Sequence, residues 1–125
     1  MAKINAVSNF VNSAKDRAEG IHAVTIVEIE TGMTLAGWTD GTLDPDIASA
    51  YNVEVVKSKL KAIEALGLKD KIDDILITLS SQFHLINVTA KGTHMVYLAA
   101  DKKKANLAIL RNLLKKGINE ISSGL

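Results

Sequence analysis

The chain has 125 residues, 47% of them apolar, and a formal net charge of +1. That length and content predict one folded domain over residues 1–125 with a proper core, not a disordered chain. The near-neutral balance argues against nucleic-acid or membrane-surface binding, which shows as a basic excess. The absence of cysteine excludes disulfides and thiolate chemistry and fits a reducing compartment. No apolar run approaches the roughly 20 residues that span a bilayer, and the N-terminus lacks a signal-peptide core. A cytoplasmic protein without membrane insertion is expected.

In chain order, residues 3 to about 18 read as a helix, with Ile4, Val7, Val11, Ala14 and Ala18 on one face and Phe10 beside them. Gly20 ends it. The period then changes: His22 to Glu30 is rich in Val, Ile and Thr, and Met33 to Trp38 follows as a second short strand. Thr31-Gly32 between them reads as a two-residue hairpin loop, which sets Ile29 opposite Thr34 and Val27 opposite Ala36. After a polar loop, Asp44-Pro45 opens the central helix as N-cap and first helical residue, and Gly67 closes it. A charged connector, Lys69 to Asp74, leads to a strand at Ile75 to Leu79 that is apolar on both faces. Ser80-Ser81-Gln82 marks a turn, Phe83 to Thr89 is the next strand, Lys91-Gly92-Thr93 turns again, and Met95 to Ala100 is the fifth strand. Asp101 caps a last helix expected from about Lys102 to Ile121, with Leu107, Leu110, Leu114, Ile118 and Ile121 on its core stripe and Ala105, Ala108 and Ile109 widening it. The order α-β-β-α-β-β-β-α with short hairpin loops predicts an antiparallel sheet covered by helices, an α/β sandwich of the α+β class.

The central helix organises the rest. Plotted at about 100° per residue, its apolar positions form two stripes. One runs Ala48, Tyr51, Val55, Ala62 and Leu66; the other runs Val53, Val56, Leu60 and Ile63 with the spacing of a helix-helix seam. A helix lying on its own sheet needs one stripe. Either the second stripe meets a partner, or the helix is sunk between two layers of one domain. The strand Ile75, Ile77, Leu79 bears on this choice, because it is uncharged and β-branched and follows the helix through a charged connector. At a sheet edge such a strand lacks the usual guards against pairing; in mid-sheet it would be ordinary. Together the two elements favour a two-fold dimer joined through Val53, Val56, Leu60, Ile63, Ile75, Ile77 and Leu79.

Signals of chemistry are thin. His22, His84 and His94 lack metal-type spacing, and the pairing expected across the Lys91-Gly92-Thr93 turn sets His84 near Ala100, on the order of 20 Å from His94 at about 3.3 Å per residue. Ser80-Ser81 lies near His84, but no acid partner or oxyanion hole is identifiable. Asp73-Asp74 point to opposite faces if they lie on a strand, and read as a solvated connector. No Gly-rich nucleotide fingerprint or P-loop is present. Lys102-Lys103-Lys104 at a helix start would be mildly costly against the macrodipole; a solvated turn outweighs an acidic or phosphate partner. Trp38 is either an exposed anchor or the closure of a core end. The sequence therefore predicts a binding module, not an enzyme, and no cofactor.

The element order, the Ile29-Glu30-Thr31-Gly32-Met33 hairpin and the block Phe83-His84-Leu85-Ile86 resemble the Roadblock/LC7 family. So does Tyr97-Leu98-Ala99-Ala100-Asp101 leading to Ala105-Asn106-Leu107-Ala108 and Arg111. The likeness spans essentially the whole chain and is to the short, single-domain prokaryotic members. It implies a five-stranded antiparallel sheet with the central helix on one face and the terminal helices on the other. It also implies dimers formed through the central helix and the strand after it, and a role as scaffold or regulator of a small Ras-like GTPase or as a dynein light chain. For a prokaryotic member the GTPase role is the one implied. The only arginines, Arg17 and Arg111, sit on amphipathic helices and not on loop tips, so any stimulation of a GTPase is expected to work without an arginine finger. Two other readings stand beside a homodimeric GTPase adaptor: a structural scaffolding dimer with no GTPase, and a small-molecule sensory module holding a ligand between layers.

Overall fold

A computed structural model describes residues 2–122 and 125, with side chains from Ala6 onward. The elements are α1 (Ala2–Arg17), β1 (Ile21–Glu28), β2 (Thr34–Thr39), α2 (Pro45–Ala65), β3 (Ile75–Thr78), β4 (Gln82–Val88), β5 (His94–Asp101) and α3 (Leu107–Ser122). The strands form one antiparallel sheet in the order β2-β1-β5-β4-β3. The predicted α+β order and the five-stranded sheet are thus present, with β2 and β3 at the two edges. Ile4, predicted on the core face of α1, has its side chain outside the described residues.

Two cores lie on opposite faces of this sheet, because alternate residues of each strand point opposite ways. On one face α1 (Val7, Phe10, Val11, Ala14) and α3 (Leu110, Leu113, Leu114, Ile121) pack on Val24, Ile26, Leu85, Val96 and Leu98. On the other, α2 supplies only Val53 and Val56 as fully buried apolar side chains, set against Ala23, Val27, Ile29, Ile86, Met95, Tyr97 and Ala99. Trp38 is half-buried against the first core with the Lys15 Nζ 5.5 Å from its ring centre, so it closes a core end.

Three expectations need correction. The β1–β2 connection is wider than two residues: Glu28 N–H donates to Met33 O and Gly32 N–H to Glu28 O, which leaves a loop of Ile29 to Gly32. Ile29 stays with β5 by donating to Thr93 O and burying its side chain in the second core. Val27 therefore faces Thr34, Ile26 faces Ala36, and Leu35 bulges out between them. Likewise His84 pairs with Ala99 and Phe83 with Ala100, one step from the expected register. The last helix starts at Leu107, not near Lys102. Asp101 Oδ1 accepts from the N–H groups of Lys103 and Lys104, but the chain turns there, and Asn106 Oδ1 caps the helix by accepting from Ile109 N–H. The three lysines are exposed in that turn. Of the expected core stripe, Leu110, Leu114 and Ile121 are buried and Leu107 and Ile118 half-buried, but it widens toward Leu113 and Gly117 and not toward Ala108 and Ile109, which are exposed.

The caps of α2 match expectation. Asp44 Oδ1 accepts from the N–H groups of Asp46 and Ile47, Pro45 takes the first helical position, and Gly67 reverses the chain at φ +67°. Just ahead of this cap, Asp40 Oδ2 lies 2.7 Å from His22 Nδ1, and Asp40 Oδ1 accepts from Thr42 N–H. Burial alone would raise the Asp40 carboxyl, but its bonds with His22 and Thr42 outweigh that and hold it at about 2.

Two outcomes follow for stability. A Cβ built on Gly117 would lie 2.2 Å from the Phe10 ring, so Gly117→Ala forces the ring out of the first core. Urea denaturation is expected to register a loss of about 1–3 kcal/mol despite the better helix former. Because Asp40 is ionised more easily folded than unfolded, its contribution is complete above the ordinary carboxylate value of 3.8 and is lost as pH falls toward about 2. Melting temperatures of wild type and Asp40→Asn should therefore converge over that acid range and separate above it, with wild type the more stable.

Candidate functional site

The two stripes of α2 occupy the reverse of the positions their spacing invites. Val53 and Val56 are 2% and 0% exposed within the single chain, and Leu60 packs beside them. They form the chain's own core, so the surface role expected of Val53 and Val56 is corrected. Ile63 is half-buried. The stripe expected to face the sheet is the free one: Tyr51 is 75% exposed, Leu66 68% and Val55 39%, with Ile47 continuing it toward the N-terminus. A polar contact to the sheet fixes this rotation, and a second polar side chain is satisfied within the helix. Ser49 is buried and shares a 2.7 Å hydrogen bond with Thr25 of β1, and Asn52 is buried with its amide donating to Ala48 O.

The helix leans mainly on β1 and β2, and touches β5 only marginally. The same face of the sheet is consequently open over β4 and β3, where Ile75, Ile77 and His84 are only half-buried and Leu79 is 43% exposed. Between the free flank of α2 and β3 runs a groove of about 600 Å³ lined by Val55, Ser58, Lys59 and Ala62 on one side and by Asp74 and Ile75 on the other. Strand β3 is the sheet edge and carries no charge or proline. The nearest acidic group, Asp74, is turned back to Arg111, whose Nε and Nη2 donate to its two carboxylate oxygens at 3.1 and 3.3 Å. The opposite edge differs: β2 carries the Leu35 bulge, which distorts the ladder. Ile75, Ile77 and Leu79 lie along β3 and its end, and Tyr51, Val55 and Leu66 are exposed on α2, while Leu60 packs on the second core and Ile63 is half-buried.

The remaining candidates do not assemble into a reaction centre. Burial lowers the affinity of His84 for a proton, and both its ring nitrogens are engaged. Nε2 lies 2.8 Å from Gln82 Oε1, and Nδ1 lies 3.3 Å from the Tyr97 hydroxyl, which burial pushes up to about 12. In a neutral ring, Nε2–H donates to Gln82 and Nδ1 accepts from Tyr97. Ser80 and Ser81 are exposed in the β3–β4 turn, where Ser81 O accepts from Lys102 N–H. Among the described residues no group of three His, Cys, Asp or Glu is placed to hold a metal ion, and no helix is long and apolar enough to cross a membrane.

A five-stranded antiparallel sheet in this order, with one long helix on one face and two terminal helices on the other, is the Roadblock/LC7 fold. Solved structures bear this out. The chain superimposes on the Roadblock/LC7 domain from Streptomyces avermitilis at a TM-score of 0.79, with 13% identity over 93% of this chain and 94% of that one. It matches the gliding protein MglB from Thermus thermophilus at 0.82, with 10% identity over 99% and 91%. For MglB of Myxococcus xanthus the values are 0.76, 13%, 97% and 86%. No protein-family model and no curated protein sequence matches the chain.

Proposed function

We propose that this protein is a cytoplasmic homodimeric adaptor that binds and modulates a small Ras-like GTPase. The observation that carries the dimer is the free flank of α2 beside an unguarded β3 edge. Exposed apolar surface contiguous with an unpaired strand is what an interface offers, and a two-fold axis along β3 would bury both at once. The interface comprises Tyr51, Val55, Leu60, Ile63 and Leu66 on the helix side and Ile75, Ile77 and Leu79 on the strand side. Val53 and Val56 support it from beneath. The GTPase partner rests on the resemblance to Roadblock/LC7 proteins, whose prokaryotic members regulate such enzymes, and on the fold held in common with MglB. The chain contributes binding, and the hydrolytic chemistry belongs to the partner.

Light scattering after gel filtration tests the dimer. Wild type is expected at twice the 13.4 kDa protomer mass, and Tyr51→Glu/Val55→Glu at one protomer mass with an unchanged circular dichroism spectrum. Val56→Glu should instead unfold the chain, since it places an unpaired carboxylate in the core. A wild-type monomer at micromolar concentration, or a dimer indifferent to the double substitution, would overturn the interface.

The two arginines are tied to carboxylates, Arg17 to Glu120 and Arg111 to Asp74. Any stimulation therefore works by reorganising the GTPase's own residues. Arg17→Ala/Arg111→Ala, provided it stays folded and dimeric, should stimulate the partner GTPase as well as wild type does in a phosphate-release assay. Loss of stimulation would assign one of them as a finger. A dimer that retains no GTPase from a pull-down would leave the structural scaffold as the function.

A further inference from the structure

The free flank of α2 is a stripe that runs Ile47, Tyr51, Val55, Ser58, Ala62 and, at the C-cap, Leu66; all but the half-buried Ala62 are exposed. Its spacing, 4-4-3-4-4, reads the same from either end. A stripe of this kind fits its own reversed copy layer for layer, whereas a face for an unrelated segment is under no such constraint. Val55, Ser58 and Ala62 also line the groove beside β3, so the middle of the stripe borders the unguarded edge. A two-fold axis standing upright on the sheet at β3 turns a helix that lies flat on that sheet end for end and sets it alongside on the same face. With that axis at the middle of the stripe, Ile47 meets the partner's Leu66, Tyr51 meets the partner's Ala62 and Val55 meets the partner's Ser58. The two inner layers set a larger side chain against a small one, which lets the backbones close up.

The flanking charges follow the same symmetry. Glu54 and Lys61 are exposed and, seven residues apart, lie on one line along the side of the stripe away from the buried Asn52. Reversal brings Glu54 level with the partner's Lys61 to about 3 Å along the helix, at about 1.5 Å per residue, and Lys61 likewise beside the partner's Glu54. Neither belongs to an ion pair of the described residues. We propose that α2 pairs with a second copy of itself in this antiparallel register, and that Glu54 and Lys61 select the partner through two reciprocal ion pairs. This register rests on the dimer proposed above and adds the residues by which one copy chooses another. A related helix with charges of one sign at both positions meets a like charge at one of them and is disfavoured.

Sedimentation equilibrium on wild type, Glu54→Lys, Lys61→Glu and the exchange Glu54→Lys/Lys61→Glu tests the selection. Each single variant sets like charges together at both symmetric positions and is expected to dimerise at least about tenfold more weakly, with an unchanged circular dichroism spectrum. The exchange restores unlike pairs and should return to within about threefold of wild type. An equimolar mixture of the two single variants should form a heterodimer, and added salt should narrow all these differences. Because the chain has no cysteine, disulfide trapping reads the register separately. Tyr51→Cys mixed with Ala62→Cys should cross-link on oxidation. Tyr51→Cys alone should not, its two copies lying about 16 Å apart along the helices. A wild-type monomer overturns the dimer and this register with it. A wild-type dimer that ignores both charge reversals, is not rescued by the exchange, or cross-links Tyr51→Cys to itself overturns the register alone.

Discussion

The hydrogen bond between Thr25 and Ser49 is small, but the orientation of the whole second layer depends on it. It joins β1 to α2 through two buried hydroxyls 2.7 Å apart. Rotating the helix by one residue in either direction would break it and strand two buried polar groups, at a cost of about 1–3 kcal/mol for each. Asn52 tolerates the same inward position because its amide is satisfied within the helix, by Ala48 O. With those positions pointing inward, Val53 and Val56 meet the sheet, and Tyr51 and Val55 cannot. The surface on which assembly is proposed is thus a by-product of a polar contact in the core.

This explains what was legible in the sequence. The cap at Asp44-Pro45, the reversal at Gly67, the strand count and the apolar pattern of β3 follow from local rules, and the structure has them where those rules put them. Two apolar stripes on α2 were legible as well, but not which one faced inward. The inward face of α2 is half polar, and a hydrophobic pattern cannot show that Ser49 and Asn52 will find partners 24 and 4 residues away. The start of α3 was hidden for a similar reason. Asp101 does cap N–H groups, but of a turn, and Asn106 repeats the signal further along the chain, at the helix itself. The hollow at Gly117 that Phe10 occupies is not legible from the apolar pattern of α3 either.

The two edges of the sheet are managed differently. On β2 the Leu35 bulge, the half-buried Trp38 and the flanking helices α1 and α2 interrupt or cover the ladder. On β3 nothing comparable is present among the described residues, and its neighbouring carboxylate is drawn aside by Arg111. A closed two-fold pair that uses one edge and spoils the other stops at two copies. Two open edges would instead permit continued strand addition.

The slender footing of α2 has a dynamic meaning. A 21-residue helix that contributes only two fully buried valines, the partly buried Ala48 and Leu60 and one hydroxyl pair is the less firmly held of the two layers, whereas the sheet beneath is also clamped by α1 and α3 from the far side. Segments with so few buried contacts detach before the whole molecule unfolds. In the lone chain, the amide protons of α2 should exchange with solvent through a local opening rather than through global unfolding. Anything seated along Tyr51 and Val55 would then close that route, so the helix reports by its own exchange rate whether its flank is occupied.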